Sequence, residues 1–157
     1  MVKMIQVRTR EDLQQVRVLF EEYAAALDFN LSFQNFEEEL SNLPGDYALP
    51  DGVLLLALWD DQIAGCVALR KINQDTCEMK RLYVRPPFRS LGIGKSLAEA
   101  VIKEAKKIGY SCMRLDTVPT MERAQALYES LGFKSIPPYR PNPIAGTFFL
   151  ELQLIVS

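Results

Sequence analysis

Apolar residues Leu13, Val16, Phe20, Tyr23, Ala24 and Leu27 recur at the spacing of one helix face, and Thr9 is placed to cap a helix running from Glu11 onward. A first strand, Met4 to Val7, precedes it. A shorter helix fits Phe33 to Leu43, with Ser32 as its cap and Glu37 to Glu39 on its surface. Pro44-Gly45-Asp46 ends it, and a loop leads to Gly52. Val53 to Trp59 is a near-continuous apolar strand. Asp60-Asp61 turns the chain into a second strand, Ile63 to Lys71, making a hairpin. Asn73-Gln74-Asp75 turns again into Thr76 to Val84. Alternation along that strand puts Glu78, Lys80, Leu82 and Val84 on one face and Met79, Arg81 and Tyr83 on the other.

Pro86-Pro87 stops the strand. Leu97, Val101, Ala105 and Ile108 then mark the apolar face of a helix starting near Ile93. Lys106-Lys107 suit its negative end and Gly109 its C-cap. Cys112 to Asp116 reads as a short strand, and Thr120 to Leu131 as a helix packing Ala124, Leu127 and Leu131. Phe133 to Ile136 begins a strand broken by Pro137-Pro138, and Thr147 to Ile155 is the last. The order β-α-α-β-β-β-α-β-α-β-β is that of a mixed α/β fold. No repeat or linker divides the chain, so residues 1–157 read as a single domain.

Composition removes several function classes. A formal net charge of −2 leaves no basic footprint for nucleic acid. No apolar run is long enough to cross a bilayer, and the N-terminus lacks the apolar core of a signal peptide, so the expectation is a cytoplasmic protein without membrane contact. Cys66, Cys77 and Cys112 lie in separate apolar segments and read as reduced core thiols, with no metal cluster. Histidine is absent altogether. Proton transfer must therefore fall to Glu, Asp, Tyr, Lys, Cys or water.

The chemistry-bearing feature is Arg89-Ser90-Leu91-Gly92-Ile93-Gly94, which joins the strand Glu78–Val84 to the helix start. A helix N-terminus exposes unpaired N–H groups and a positive dipole end. Glycine lets a ligand approach the backbone there, and the combination suits a pyrophosphate. Gly94-Lys95-Ser96 mimics the end of a P-loop, but that motif needs a Gly where Arg89 stands. A dinucleotide fingerprint needs a small residue where Leu97 stands. Neither fits.

Arg-x-x-Gly-x-Gly after a strand resembles the acetyl-CoA pyrophosphate loop of the GNAT superfamily, the GCN5-related N-acetyltransferases. Ala124-Gln125-Ala126-Leu127-Tyr128-Glu129-Ser130-Leu131-Gly132-Phe133 is similar to the superfamily's late helix and the turn after it. Strand Glu78–Val84 resembles its central strand. The resemblance implies a single twisted, mostly antiparallel mixed sheet of roughly six to seven strands, with a central splayed parallel pair and about four flanking helices.

It further implies transfer of acetyl from acetyl-CoA, without a metal, to a primary amine of a small molecule or peptide. By resemblance the backbone of Leu82, Tyr83 and Val84 meets the pantetheine arm, and the Leu82 N–H faces the thioester carbonyl. The diphosphate falls to the N–H groups of Arg89, Leu91, Gly92, Ile93, Gly94 and Lys95 within the loop that holds Ser90, with charge from the Arg89 and Lys95 side chains. Lys95 also fits a solvated surface residue. Glu78 stands at the family's general-base position; it also fits a strand-end carboxylate paired with Lys80 or Arg81. Tyr128 matches the general acid, and otherwise reads as a core aromatic.

Many relatives carry Asn where this chain has Met121, and Thr117 or Thr120 stands near enough to replace that contact with the cofactor arm. The proline-stiffened loop 137–146 offers Tyr139, Arg140 and Asn142 to the acceptor, or is simply a hairpin connection. Arg140 suits a carboxylate on the acceptor, whereas Glu37 to Glu39 suit a polyamine. A homodimer is a family-level expectation. A non-catalytic acyl-CoA sensor, or an enzyme using another acyl-CoA, is the alternative.

Overall fold

The computed structural model describes residues 1–27, 35–117, 122–142 and 144–155. Thr9 opens the first helix, α1 (Arg10–Ala26), with a capping box. Its hydroxyl accepts from the Asp12 N–H, and the Asp12 carboxylate accepts from the Thr9 N–H. The second helix, α2 (Phe36–Ser41), starts at Asn35 in the left-handed region. The expected cap, Ser32, and the expected first residue, Phe33, lie outside the described residues. The third helix, α3 (Ile93–Ile108), ends at Gly109 with φ 110°, as the C-cap pattern requires. The fourth, α4 (Glu122–Ser130), precedes a Leu131-Gly132-Phe133 turn; Thr120 and Met121 are outside the described residues.

Seven strands form one sheet: β1 (Val2–Gln6), β2 (Val53–Trp59), β3 (Gln62–Lys71), β4 (Thr76–Val84), β5 (Cys112–Thr117), β6 (Lys134–Ser135) and β7 (Phe148–Gln153). Their spatial order is β1-β2-β3-β4-β5-β7-β6. Every neighbouring pair is antiparallel except β4 and β5, which α3 joins as a crossover. The alternating apolar positions of β2 and β3 feed two cores. Val53, Leu55, Val67 and Leu69 pack under α3 and α4, and Leu54, Leu56, Cys66 and Ala68 pack under α1 and α2. Strand β6 is only two residues long, because Pro137 and Pro138 cannot donate to a ladder.

The parallel pair parts almost at once. Thr76, Cys77 and Glu78 pair with Cys112, Met113 and Arg114, and among the described residues nothing beyond them is paired across the gap. Strand β4 continues on β3, and β5 on β7. The splayed central pair is therefore present, between Met79–Val84 on one side and Leu115–Thr117 on the other.

The face assignment along β4 needs correction. Pairing runs Ala68 with Lys80 but Cys66 with Tyr83, so Arg81 and Leu82 together oppose Val67. That is a β-bulge, and Arg81 adopts φ 59° within it. The extra residue inverts the parity of the strand. Glu78 and Lys80 keep the α1/α2 side, but Arg81 and Tyr83 join them there, whereas Leu82 and Val84 turn to α3 with Cys77 and Met79. Strict alternation had put Glu78 with Leu82, and Arg81 with Met79.

Candidate active site

The turn between β4 and α3 is built by a short 3-10 turn, Pro86–Phe88, followed by two left-handed residues, Ser90 (φ 70°) and Gly92 (φ 81°). The first intrahelical bond of α3 runs from the Ser96 N–H to the Gly92 carbonyl, 3.1 Å. The N–H groups of Ile93, Gly94 and Lys95 therefore precede the helix's own acceptors. A Cβ on Gly94 would meet nothing closer than Val84 Cγ2 at 3.7 Å, so the space over this first turn is open. Leu91 and Lys95 are exposed, and Ile93 is buried under the helix.

Arg89 departs from expectation. Its N–H closes the 3-10 turn on the Pro86 carbonyl at 3.2 Å, so that amide is already committed. Its Nε donates to the Val84 carbonyl at 2.9 Å, which ties the turn to the end of β4. The Tyr83 side chain lies on the α1 side, where its hydroxyl donates to Glu22 at 3.3 Å. Only the backbone of Tyr83 remains for the gap.

Tyr128 of α4 is buried, with its ring edge-on to Phe133 at 5.6 Å. Burial, reinforced by Tyr23 and Asp116 nearby, pushes its phenol well above the usual range. It is therefore a protonated donor throughout the neutral range. At the open end of β5, the Thr117 hydroxyl is buried with no hydrogen-bond partner among the described residues. An orphaned polar atom on β5 beyond the point of parting, together with the uncommitted helix N–H groups that follow β4, is a donor set that suits a polar arm with a diphosphate end.

On the α1/α2 side, Glu78 is fully buried and heavily engaged. Its Oε1 accepts from Arg70 Nε at 2.7 Å, and its Oε2 accepts from the Tyr139 hydroxyl at 2.6 Å. Arg140 Nη2 lies 2.6 Å from Glu78 Oε2 and 3.1 Å from Asp116 Oδ2. These are ion-pair distances, though the angles at Nη2 fall short of hydrogen-bond geometry. Nη1 of the same guanidinium donates to Glu78 at 3.2 Å. Burial pushes the Glu78 carboxyl up, but Lys80, Arg140 and Arg70 and the Tyr139 hydrogen bond outweigh it, and the net shift is downward.

Asn142 also donates to Asp116, at 3.3 Å. Tyr139, Arg140 and Asn142 are thus brought together over the splay, but turned inward onto Glu78 and Asp116. Arg140 links the last paired residue of β4 to a residue of β5 beyond the point of parting.

Several residues of this region take other partners than the sequence suggested, or were not singled out there. Glu39, expected on the helix surface, reaches inward to Arg81, 2.9 Å to Nε and 2.8 Å to Nη2. Arg81 also lies over the rings of Tyr23 and Phe36. Lys80, Arg70 and Asp116 are further members. The one available signal was the density of charge within a strand that is otherwise apolar, Glu78-Met-Lys-Arg81. Charges there must pair with something on the neighbouring elements.

Comparison with known proteins agrees with this architecture. Residues 15–133 match the model of the acetyltransferase (GNAT) family. An N-acetyltransferase of Schizosaccharomyces pombe, itself uncharacterised, is 40% identical over 150 residues, covering 94% of this chain and 92% of that protein. Among solved structures, a GNAT-family acetyltransferase of Staphylococcus aureus superposes with a TM-score of 0.78 at 22% identity, covering 99% of this chain and all of the other. An acetyltransferase of Salmonella typhimurium, solved with its cofactor acetyl-CoA, superposes with a TM-score of 0.76 at 17% identity over 100% of this chain and 96% of that one. The sheet that parts at Glu78, the glycine turn beside it and the matched family model lead to one conclusion: this chain belongs to the GNAT family of acetyltransferases.

Proposed function

We propose that the protein transfers the acetyl group of acetyl-CoA to a primary amine of a small molecule or peptide. The observation that carries this reading is the parting of β4 from β5 after Glu78 and Arg114, directly beside the unobstructed first turn of α3. Acetyl-CoA supplies the activated thioester. The N–H groups of Ile93, Gly94 and Lys95 hold its diphosphate, supported by the positive helix end and by Gly92, which gives the turn its left-handed residue. The open edge of β4 at Leu82, Tyr83 and Val84, with Thr117 opposite, receives the arm.

A backbone donor at Leu82 stabilises negative charge on the thioester oxygen; such donors are worth roughly 10²-fold in rate. Tyr128 gives its proton to the departing thiolate as the C–S bond breaks, and the proton released by the amine nitrogen returns to it through water, a role that suits a phenol kept neutral by burial. Glu78 enters this reading as an anchor rather than a base. Its oxygens already accept from Arg70, Tyr139 and Arg140, and a carboxylate with a lowered pKa is a weak proton acceptor. It fixes Tyr139 and Arg140 over the gap, where they form the wall that an acceptor meets.

The test is release of free thiol from acetyl-CoA in the presence of an amine panel. Turnover with at least one amine supports the reading. Acetyl-CoA binding without turnover across the panel would make the protein an acyl-CoA sensor instead.

A further inference from the structure

Past Glu78 and Arg114 no backbone bond among the described residues fixes how far β4 stands from β5. The chemistry needs that distance set. In the proposed reaction the thioester lies against β4, whereas Tyr128 belongs to α4, the helix after β5, and shares a core with Leu115 of that strand. A misplacement of about 1 Å costs on the order of 10²-fold in rate. Whatever holds the two strands at the parting therefore acts on the reaction.

One loop, residues 139–142, reaches both strands. Tyr139 donates to Glu78 of β4 at 2.6 Å, and Asn142 donates to Asp116 of β5 at 3.3 Å. Between them Arg140 takes hold of both. Its Nη1 donates to Glu78 Oε1 at 3.2 Å and its Nε to Asp116 Oδ2 at 3.3 Å, with Nη2 at ion-pair distance from both carboxylates. The end of the guanidinium faces one strand and its side faces the other. A planar fork can do this and a point ammonium cannot.

The loop itself is anchored. Tyr139 packs edge-on against Phe149 of β7 at 5.3 Å, with the Arg114 guanidinium 5.4 Å from its ring. Asn142 Oδ1 accepts from the Ile144 N–H at 2.8 Å. Glu78 is fully buried, and the side chains of Asp116 and Arg140 are 13% and 23% exposed, so water screens this bridge far less than a surface pair. Asp116 is also near enough to Tyr128 to help raise its phenol.

We propose that Arg140 is a positioning residue of acetyl transfer: by gripping Glu78 and Asp116 at once, it holds the β5 side of the gap, and Tyr128 with it, in place against the β4 side where the thioester lies. The inference rests on the acetyltransferase reading and deepens it. Arg140 touches no reacting atom in this role, which differs from the contact with an acceptor carboxylate that the sequence suggested. The diphosphate seat is built by the turn after β4, from residues the bridge does not include. The bridge therefore acts on the transfer step and not on the hold on coenzyme A.

The experiment is a double-mutant cycle in kcat, with saturating acetyl-CoA and the amine that the wild-type protein acetylates fastest. Arg140→Lys keeps the charge and loses the fork. It should lower kcat ~10- to 10²-fold, with the Kd for coenzyme A from calorimetric titration within about threefold of wild type. Tyr128→Phe should cost ~10- to 10²-fold in the wild-type background, but less than about threefold on top of Arg140→Lys, because an acid already out of place has little left to lose. Asp116→Asn, which removes the charge at the β5 end of the bridge, should lower kcat in the same way.

A residue that only stabilises the fold would give losses that multiply. Losses that multiply, or a coenzyme A affinity that falls in step with kcat, would overturn the inference while leaving the transferase reading intact. So would a Tyr128→Phe protein as fast as wild type, since there would then be no acid to position. No thiol release by the wild-type protein with any amine would instead overturn the transferase reading itself, and the inference with it. Should Arg140→Lys fail to fold, the same cycle with Arg140→Gln decides.

Discussion

Replacing Gly94 with alanine should move the protein's stability and its cofactor affinity in opposite directions. Gly94 is the second residue of α3 and has no left-handed backbone to protect. The added Cβ meets only Val84 Cγ2, at 3.7 Å, an ordinary contact. The unliganded fold therefore gains the helix preference of alanine over glycine, ~0.5–1 kcal/mol. For a chain of this size that raises Tm by about 1–4 °C.

The same methyl occupies space that a diphosphate needs if it is to reach the N–H groups of Ile93, Gly94 and Lys95 at bonding distance. Loss of one charge-assisted hydrogen bond costs ~1.5–3 kcal/mol, which weakens binding about 10- to 150-fold. Calorimetric titration with coenzyme A, alongside thermal unfolding without it, reads both quantities on one preparation. Gly92→Ala supplies the contrast. Its φ of 81° makes the substitution strained whatever the space, so Tm should fall. A Gly94→Ala protein that melts higher yet binds coenzyme A as tightly as wild type would refute a diphosphate seat at this turn.

Tyr128→Phe should lower kcat about 10- to 10²-fold with little change in KM for acetyl-CoA; an unchanged kcat removes the hydroxyl from the reaction. Glu39→Ala removes the carboxylate that holds Arg81, whose side chain is 2% exposed, and should cost ~3 kcal/mol in urea unfolding. A loss below about 1 kcal/mol would mean the pair contributes only as much as one on the surface. The Glu78 carboxyl is held below its ordinary value of 4.5, so its contribution is present above that value and lost as pH falls through the lowered one. Glu78→Gln should therefore be less stable than wild type at pH 7, with the difference narrowing below pH 4.5; a constant difference would show that the charge plays no part.

The element order was legible because each element carries its own local signal. Thr9 and Asp12 announce α1, Gly109 closes α3, and the apolar runs of β2 and β3 are too short for anything but strands in a covered sheet. The site was half legible for the same reason. The turn at Ser90 to Gly94 is local chemistry, and it lies where its residues say. The pairings at Glu78 are not local. Arg70, Tyr139 and Arg140 reach it from β3 and from a loop more than sixty residues downstream, and no periodicity records which cation meets which acid. Glu39 read as a solvated helix face because its partner lies 42 positions away.

The bulge at Arg81 is the step that joins these two halves. A non-glycine residue at positive φ costs on the order of 1–3 kcal/mol and persists only where its surroundings over-determine it. Arg81 is held from three sides, by both oxygens of Glu39 and by the rings of Tyr23 and Phe36. Those contacts require its side chain on the α1/α2 side, immediately after Lys80 on the same side. Without the extra residue, Leu82 and Val84 would lie with Lys80, and the end of β4 would turn its other face to α3. With it, one strand presents Lys80 and Arg81 to the α1/α2 side and its next apolar side chains, Leu82 and Val84, to α3. The strain at a single residue is what lets β4 turn its charged side chains to one core and its last apolar ones to the other.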